Sequence, residues 1–267
     1  MKRLLMAVVG VLISASALAQ GSHGIPYSFD PSPSNTASLQ RGARDFMAYC
    51  SGCHSMSLLR YNRLARDLGI PEDLLRANLM FTSDKPGDHI VSAMPVEQAE
   101  GWFGKAPPDL TLEARYRGAS WVYSYLRTFY VDASRPLGVN NLMLPNASMP
   151  HVLWSQQGWQ ALEEKPPVEG ESTENPAAAG ADQARTAQPE HGRGAEAHGP
   201  PLKLVQQGAL SPADYKAMVG DIVNFMVYAA EPGRLQRVSL GFKALLYLAI
   251  LFVFAFFLKR EYWKDVH

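Results

Sequence analysis

The chain has 267 residues, 47% of them hydrophobic, with 25 basic and 25 acidic side chains. That content excludes a wholly disordered or collagen-like chain, and the lack of a basic surplus argues against a nucleic-acid binder. Two cysteines are too few for a disulfide-stapled scaffold.

The N-terminus opens Met1-Lys2-Arg3, runs apolar from Leu4 to Ile13 and reaches Ala17-Leu18-Ala19. A basic start, a short apolar stretch and an A-x-A site make a secretory signal. The apolar run is too short to cross a hydrocarbon core of ~30 Å. Residues 1–19 are therefore expected to be cleaved and the domain that follows, 20–237, to be exported with a mildly acidic net charge.

In 38–50, Leu39, Ala43, Phe46, Met47 and Cys50 fall at helical spacing, with Ser38 as the expected N-cap. This helix leads into Cys50-Ser51-Gly52-Cys53-His54, which holds both cysteines of the chain. An exported C-x-x-C could be a redox pair, but C-x-x-C-H is the attachment sequence of c-type haem. Two thiols on one helical turn can add to the two vinyl groups along one porphyrin edge, and the adjacent imidazole then reaches the iron. Zinc would need further ligands at matching spacing, and no second cysteine cluster exists.

An electron carrier closes both axial positions of its iron, commonly with His and Met. Two Met-Pro pairs lie downstream of His54, Met94-Pro95 and Met149-Pro150, both in loop-like sequence. Spacing alone does not separate them. A second helix is expected near 120–130, its aromatics serving core or haem-edge packing. Residues 163–201 are rich in Ala, Gly, Pro and Glu and poor in aromatics, which predicts a disordered insertion; His191 and His198 within it read as solvated side chains.

A third helix is expected over 211–230. Ser211 caps it, Pro212 suits its first turn, and Asp214 completes a capping-box-like pattern. Tyr215, Met218, Val219, Ile222, Phe225, Met226 and Ala229 would form its buried stripe, and Pro232 stops it. Residues 238–258 then form one apolar run carrying a single charge, Lys243. With no polar stripe over its turns, it reads as a membrane span. The exported main domain puts the remaining tail, 259–267, in the cytoplasm.

The set Cys50-Ser51-Gly52-Cys53-His54-Ser55-Met56, Leu59-Arg60-Tyr61, Pro107-Pro108-Asp109-Leu110-Thr111, Met149-Pro150 and Tyr228-Ala229-Ala230-Glu231-Pro232, followed by one C-terminal span, resembles the cytochrome c1 family in order and over nearly the whole mature chain. The resemblance implies a mainly α, cytochrome-c-like haem domain with long loops and a single C-terminal transmembrane helix. It implies one covalent haem c, held by Cys50 and Cys53, with His54 and Met149 as axial ligands and Met94 as the lesser candidate. It further implies an arginine reaching a haem propionate, Arg117 in preference to Arg115, and a haem edge lined by Pro108 and Leu110. The sequence departs from the family at Trp102-Phe103-Gly104-Lys105-Ala106, where relatives carry an Asn-Gly-rich loop.

By the same resemblance the chain would be the electron-transfer subunit of a quinol–cytochrome c oxidoreductase, with no catalytic residues of its own. It would take one electron from a Rieske iron–sulfur protein and give it to a periplasmic c-type cytochrome. It would sit beside cytochrome b and lipid in the bacterial inner membrane, in a dimeric complex. A tethered haem-c shuttle for another oxidase, and a haem sensor or peroxidase, are the rival readings.

Overall fold

The computed structural model describes residues 24–163 and 201–264; the expected export signal and nearly all of the insertion lie outside the described residues. In chain order the elements are α1 (Thr36–Tyr49), β1 (Met56–Arg60), α2 (Tyr61–Leu68), α3 (Glu72–Asn78), β2 (His89–Ile90), α4 (Val96–Phe103), α5 (Glu113–Tyr116), α6 (Ala119–Arg127), β3 (Phe129–Val131), β4 (Val139–Asn141), α7 (Trp154–Gln157), β5 (Gly158–Leu162), β6 (Leu202–Gln207), α8 (Pro212–Ala230) and α9 (Arg234–Tyr262). The strands pair only as short antiparallel two-stranded ribbons, β1 with β2, β3 with β4 and β5 with β6, so helices carry the architecture.

The centre of the fold is the crossing of α1 and α8. The apolar stripes expected for both are buried, apart from Met218, which is half-buried: Leu39, Ala43, Phe46 and Met47 pack with Val219, Ile222, Phe225 and Met226. Each large aliphatic or aromatic side chain so buried contributes roughly 1.5–3 kcal/mol. Gly42 lets the two backbones touch, because a Cβ there would lie 2.0 Å from the Asp221 carbonyl oxygen. At the rim of the crossing, Arg41 Nε donates to Asp221 Oδ2 at 2.6 Å.

Helix α8 begins as the sequence indicates, with the Ser211 side chain accepting from Asp214 N at 3.1 Å and Pro212 in the first turn. Helix α1 begins earlier than expected. Its N-cap is Asn35, whose side chain accepts from Ser38 N at 3.1 Å. Ser38 is instead buried inside the first turn, where its hydroxyl donates to Asp221 and accepts from Asn224 Nδ2 at 2.9 Å. Asparagine caps as well as serine, so the cap moved upstream and Ser38 became part of the crossing.

Helix α6 ends at Arg127, short of the expected 130. The residues Phe129-Tyr130-Val131 are aromatic and β-branched, which suits a strand, and they pair with β4. Tyr215 of α8 secures the end of α6 by donating its hydroxyl to Leu126 O at 2.8 Å.

After α8, Pro232 breaks the chain and the 29-residue α9 begins. Its apolar side chains point outward on every side, Phe242 71% exposed, Phe252 70% and Phe254 69%. Residues 236–262 are long and apolar enough to cross a membrane, since a span needs about 20 such residues. The helix overruns the expected 238–258 at both ends. Glu231 joins it to the domain, contacting Arg237 of α9 and lying 3.7 Å from Arg115 Nη1 of α5.

Candidate haem site

The last turn of α1 continues into the C-x-x-C-H motif through backbone bonds. Cys50 N donates to Phe46 O at 2.8 Å, Cys53 N to Cys50 O at 3.1 Å, and His54 N to Cys50 O at 2.9 Å. This tight winding puts both thiols and the imidazole on the wall of one cavity. Cys50 is buried, Cys53 half-buried, and neither is in a disulfide. Burial pushes the Cys50 thiol up to about 12 and raises Cys53 as well. A dithiol redox centre needs a depressed thiol pKa, so this environment is the opposite of what that reading requires. Among the described residues no group of three or more His, Cys, Asp or Glu is placed to hold a metal ion.

His54 Nδ1 lies 2.8 Å from the carbonyl oxygen of Pro108. A carbonyl only accepts, so Nδ1 carries the proton and Nε2 is left with a bare lone pair. Burial lowers the imidazole pKa against the opposing pull of the Pro108 bond and the charges of Asp109 and Glu113. A neutral ring with a fixed tautomer is the state that ligates a metal.

The cavity encloses about 330 Å³, within the roughly 300–1,000 Å³ typical of cofactor sites. Beyond the motif, its walls include Phe103 at the end of α4, Pro107, Pro108 and Leu110 from the loop that follows, Trp121 and Tyr125 from α6, and Ile222 and Met226 from α8. Pro145 to Pro150 close another side, and Met149 lies within that stretch. Met94 does not line the cavity; its backbone N donates to Ser92 Oγ at 3.2 Å, and that hydroxyl donates to Gly52 O of the motif at 2.8 Å.

Arg117 lines the cavity, with Nε donating to Glu113 Oε1 at 2.9 Å and its guanidinium 4.4 Å from the centre of the Trp121 ring. Arg115 points elsewhere, toward Glu231. Sequence reading missed the second layer of this site. Asp109 ties down the Pro108 loop, Trp121 supports Arg117, and His151, two residues after Met149, lies flat on Phe129 at 5.0 Å. Asp109 sits inside the Pro-Pro-Asp-Leu string, which was its available signal; a lone histidine after a Met-Pro pair gave none.

Two thiols, a neutral imidazole with a free Nε2, a thioether and a mostly apolar chamber with two cations, Lys105 and Arg117, in its wall together fit a covalently attached haem. Fold, cavity and tail helix thus define a class, the c-type cytochromes tethered to a membrane by a C-terminal helix. Comparison with known proteins narrows it. Residues 28–266 match the Cytochrome C1 family. A cytochrome c1 of Allochromatium vinosum is 45% identical over 267 residues, covering all of both chains. An ammonia monooxygenase gamma subunit of Nitrosomonas europaea is 39% identical over 268 residues, 98% of this chain and 100% of that one. A cytochrome c1 of Rhodospirillum rubrum is 29% identical over 250 residues, 85% of this chain and 81% of that one. The chain belongs to the cytochrome c1 family, whose members carry one covalent haem c and act as membrane-anchored electron-transfer subunits of bc1-type complexes.

Proposed function

We propose that this chain takes one electron from a Rieske iron–sulfur protein and hands it to a periplasmic c-type cytochrome, within a dimeric respiratory quinol–cytochrome c oxidoreductase of the bacterial inner membrane. Cys50 and Cys53 would hold the haem, with His54 Nε2 and the Met149 thioether as the groups that would ligate its iron, Arg117 as the partner of a propionate, and Pro108 and Leu110 as cover for an edge. Bound there, the haem supplies one-electron redox chemistry, and no acid, base or nucleophile is required of the protein. The chain's own work is to fix the imidazole tautomer, exclude water with the walls from α6 and α8, and offer a thioether as the second ligand, which raises the potential. With residues 1–19 read as an export signal, the domain lies on the periplasmic side, and α9 packs beside cytochrome b.

The observation that carries this reading is the single cavity shared by the motif and Met149, with His54 Nδ1 committed to Pro108. The test is the optical spectrum and subunit content of the detergent-solubilised native complex. A low-spin c-type spectrum with a Met–iron charge-transfer band, lost in Met149→Leu and kept in Met94→Leu, alongside b-type haem and an iron–sulfur subunit, is the expected result. A high-spin, carbon-monoxide-reactive haem on a chain purified alone would overturn it. The Nitrosomonas europaea relative, named as an ammonia monooxygenase subunit, favours a second reading, a tethered haem-c subunit of another oxidase. Purification with that oxidase and without b-type haem would select it.

A further inference from the structure

The loop that receives His54 Nδ1 cannot pair with the motif as an ordinary strand. Pro107 and Pro108 have no backbone N–H to give. Segments 54–58 and 108–111 nonetheless run bonded to one another, and side chains make up the deficit. Leu110 N donates to Ser55 O at 2.9 Å. Ser57 N donates to Asp109 Oδ2 at 2.7 Å. Leu58 N donates to Thr111 Oγ1 at 3.3 Å. On its own loop, Asp109 Oδ1 accepts from Thr111 N at 2.8 Å and from Thr111 Oγ1 at 2.6 Å. Asp109 therefore spends one oxygen across the gap and the other on its own turn, directly after the residue whose carbonyl meets the imidazole.

We propose that Asp109 is a positioning residue for the proximal ligand, with Thr111 as its anchor. Together they hold the Pro108 carbonyl on His54 Nδ1 and so set the electron donation of the imidazole to the iron. The inference rests on the reading of His54 as iron ligand. A firm bond at Nδ1–H makes the ring a stronger donor, which favours the ferric state. Slack in that bond raises the reduction potential, one of the levers a protein has on a haem. Thr111 is 1% exposed, so its hydroxyl serves this arrangement and not solvent.

Asp109→Asn changes charge as well as bonding, and both push the potential upward. Thr111→Val separates them, because it keeps the carboxylate and removes the hydroxyl that anchors it. Thr111→Ser keeps the hydroxyl and serves as the rescue. The measurement is a potentiometric titration of the c-type α-band of the full-length chain in solubilised native membranes, with the Met–iron band recorded in parallel. The expected result is a raised potential in Asp109→Asn and Thr111→Val, the wild-type value in Thr111→Ser, and an intact Met–iron band throughout. Equal potentials for Thr111→Val and Thr111→Ser overturn the proposal, also when Asp109→Asn alone is shifted, since that is charge without positioning. Where Asp109→Asn does not accumulate, the two Thr111 variants decide the matter. A wild-type chain with no low-spin c-type spectrum overturns the functional reading and this inference with it; a normal wild-type spectrum with unshifted variants overturns this inference alone.

Discussion

His54 and Met149 line the same cavity, yet their surroundings are built differently. The His54 segment is laced by directional bonds that reach across the sequence, to Pro108, Asp109, Leu110 and Thr111. The Met149 loop has short-range ties, Ala147 N to Leu144 O and Val152 N to Pro150 O, and leans on stacked rings. His151 lies 7° from parallel to Phe129, and the edge of Trp159 meets it at 6.0 Å. Hydrogen bonds fix a register, whereas a ring stack resists separation and tolerates sliding. The methionine side is therefore the one that gives first when the domain is disturbed.

The largest test of that contrast is Phe129→Ala. Phe129 is 2% exposed and carries both His151 and Tyr125. Its truncation is expected to cost about 3–5 kcal/mol. The Met–iron band should fade and the reduced haem should bind carbon monoxide while remaining covalently attached, as a haem stain after denaturing electrophoresis would show. Gly42→Ala attacks the α1·α8 crossing behind the His54 side instead. Overpacking there should lower stability by about 1–3 kcal/mol, read as a lower melting temperature with the Met–iron band unchanged up to the transition. If that band disappears first, the two sides are not independently held.

His151 gives a finer cut. His151→Ala removes one stacked partner, worth about 0.5–1.5 kcal/mol beyond the area it buries, and should weaken the Met–iron band in the folded protein. His151→Phe keeps the stack and discards a buried Nε2 that has no hydrogen-bond partner, so it should keep the band. The smallest effect is one of pH. Burial alone would raise the Asp109 carboxyl, but bonds from Thr111 and Ser57 outweigh it and hold the group below its ordinary value of 3.8. With the folded pKa below the unfolded one, the carboxylate stabilises the fold above the unfolded value and loses that contribution as pH falls through the folded one. The Asp109 contribution should stay constant from neutrality down to mild acid, and a slight acid-side slope should vanish in Asp109→Asn.

The same contrast explains what the sequence disclosed. The haem motif, helix α8 and the tail helix were legible because their signals are local: a five-residue string, a cap with a periodic stripe, an unbroken apolar run. Local rules also misled where two residues could play one part, as when Asn35 took the cap expected of Ser38. Met94 and Met149 look alike in their local sequence, since each precedes a proline; the family order favoured Met149, and the fold puts Met149 and not Met94 in the cavity wall. The lacing of 54–58 to 108–111 joins side chains to backbone across a long stretch of intervening chain, a pairing for which neither helical nor strand periodicity carries a trace. His151 was invisible for a related reason, because its partners Phe129 and Trp159 come from two separate strands.

The β5–β6 ribbon pairs Leu162 with Leu202 and brings Glu163 N to Pro201 O at 2.9 Å. The two ends of the long insertion are thereby clamped at neighbouring points. Joining already adjacent ends costs loop-closure entropy that grows only with the logarithm of length, about 0.6 kcal/mol per doubling. The pairing of β5 with β6 therefore rests on its own five paired positions, from Gly158 with Gln207 to Leu162 with Leu202.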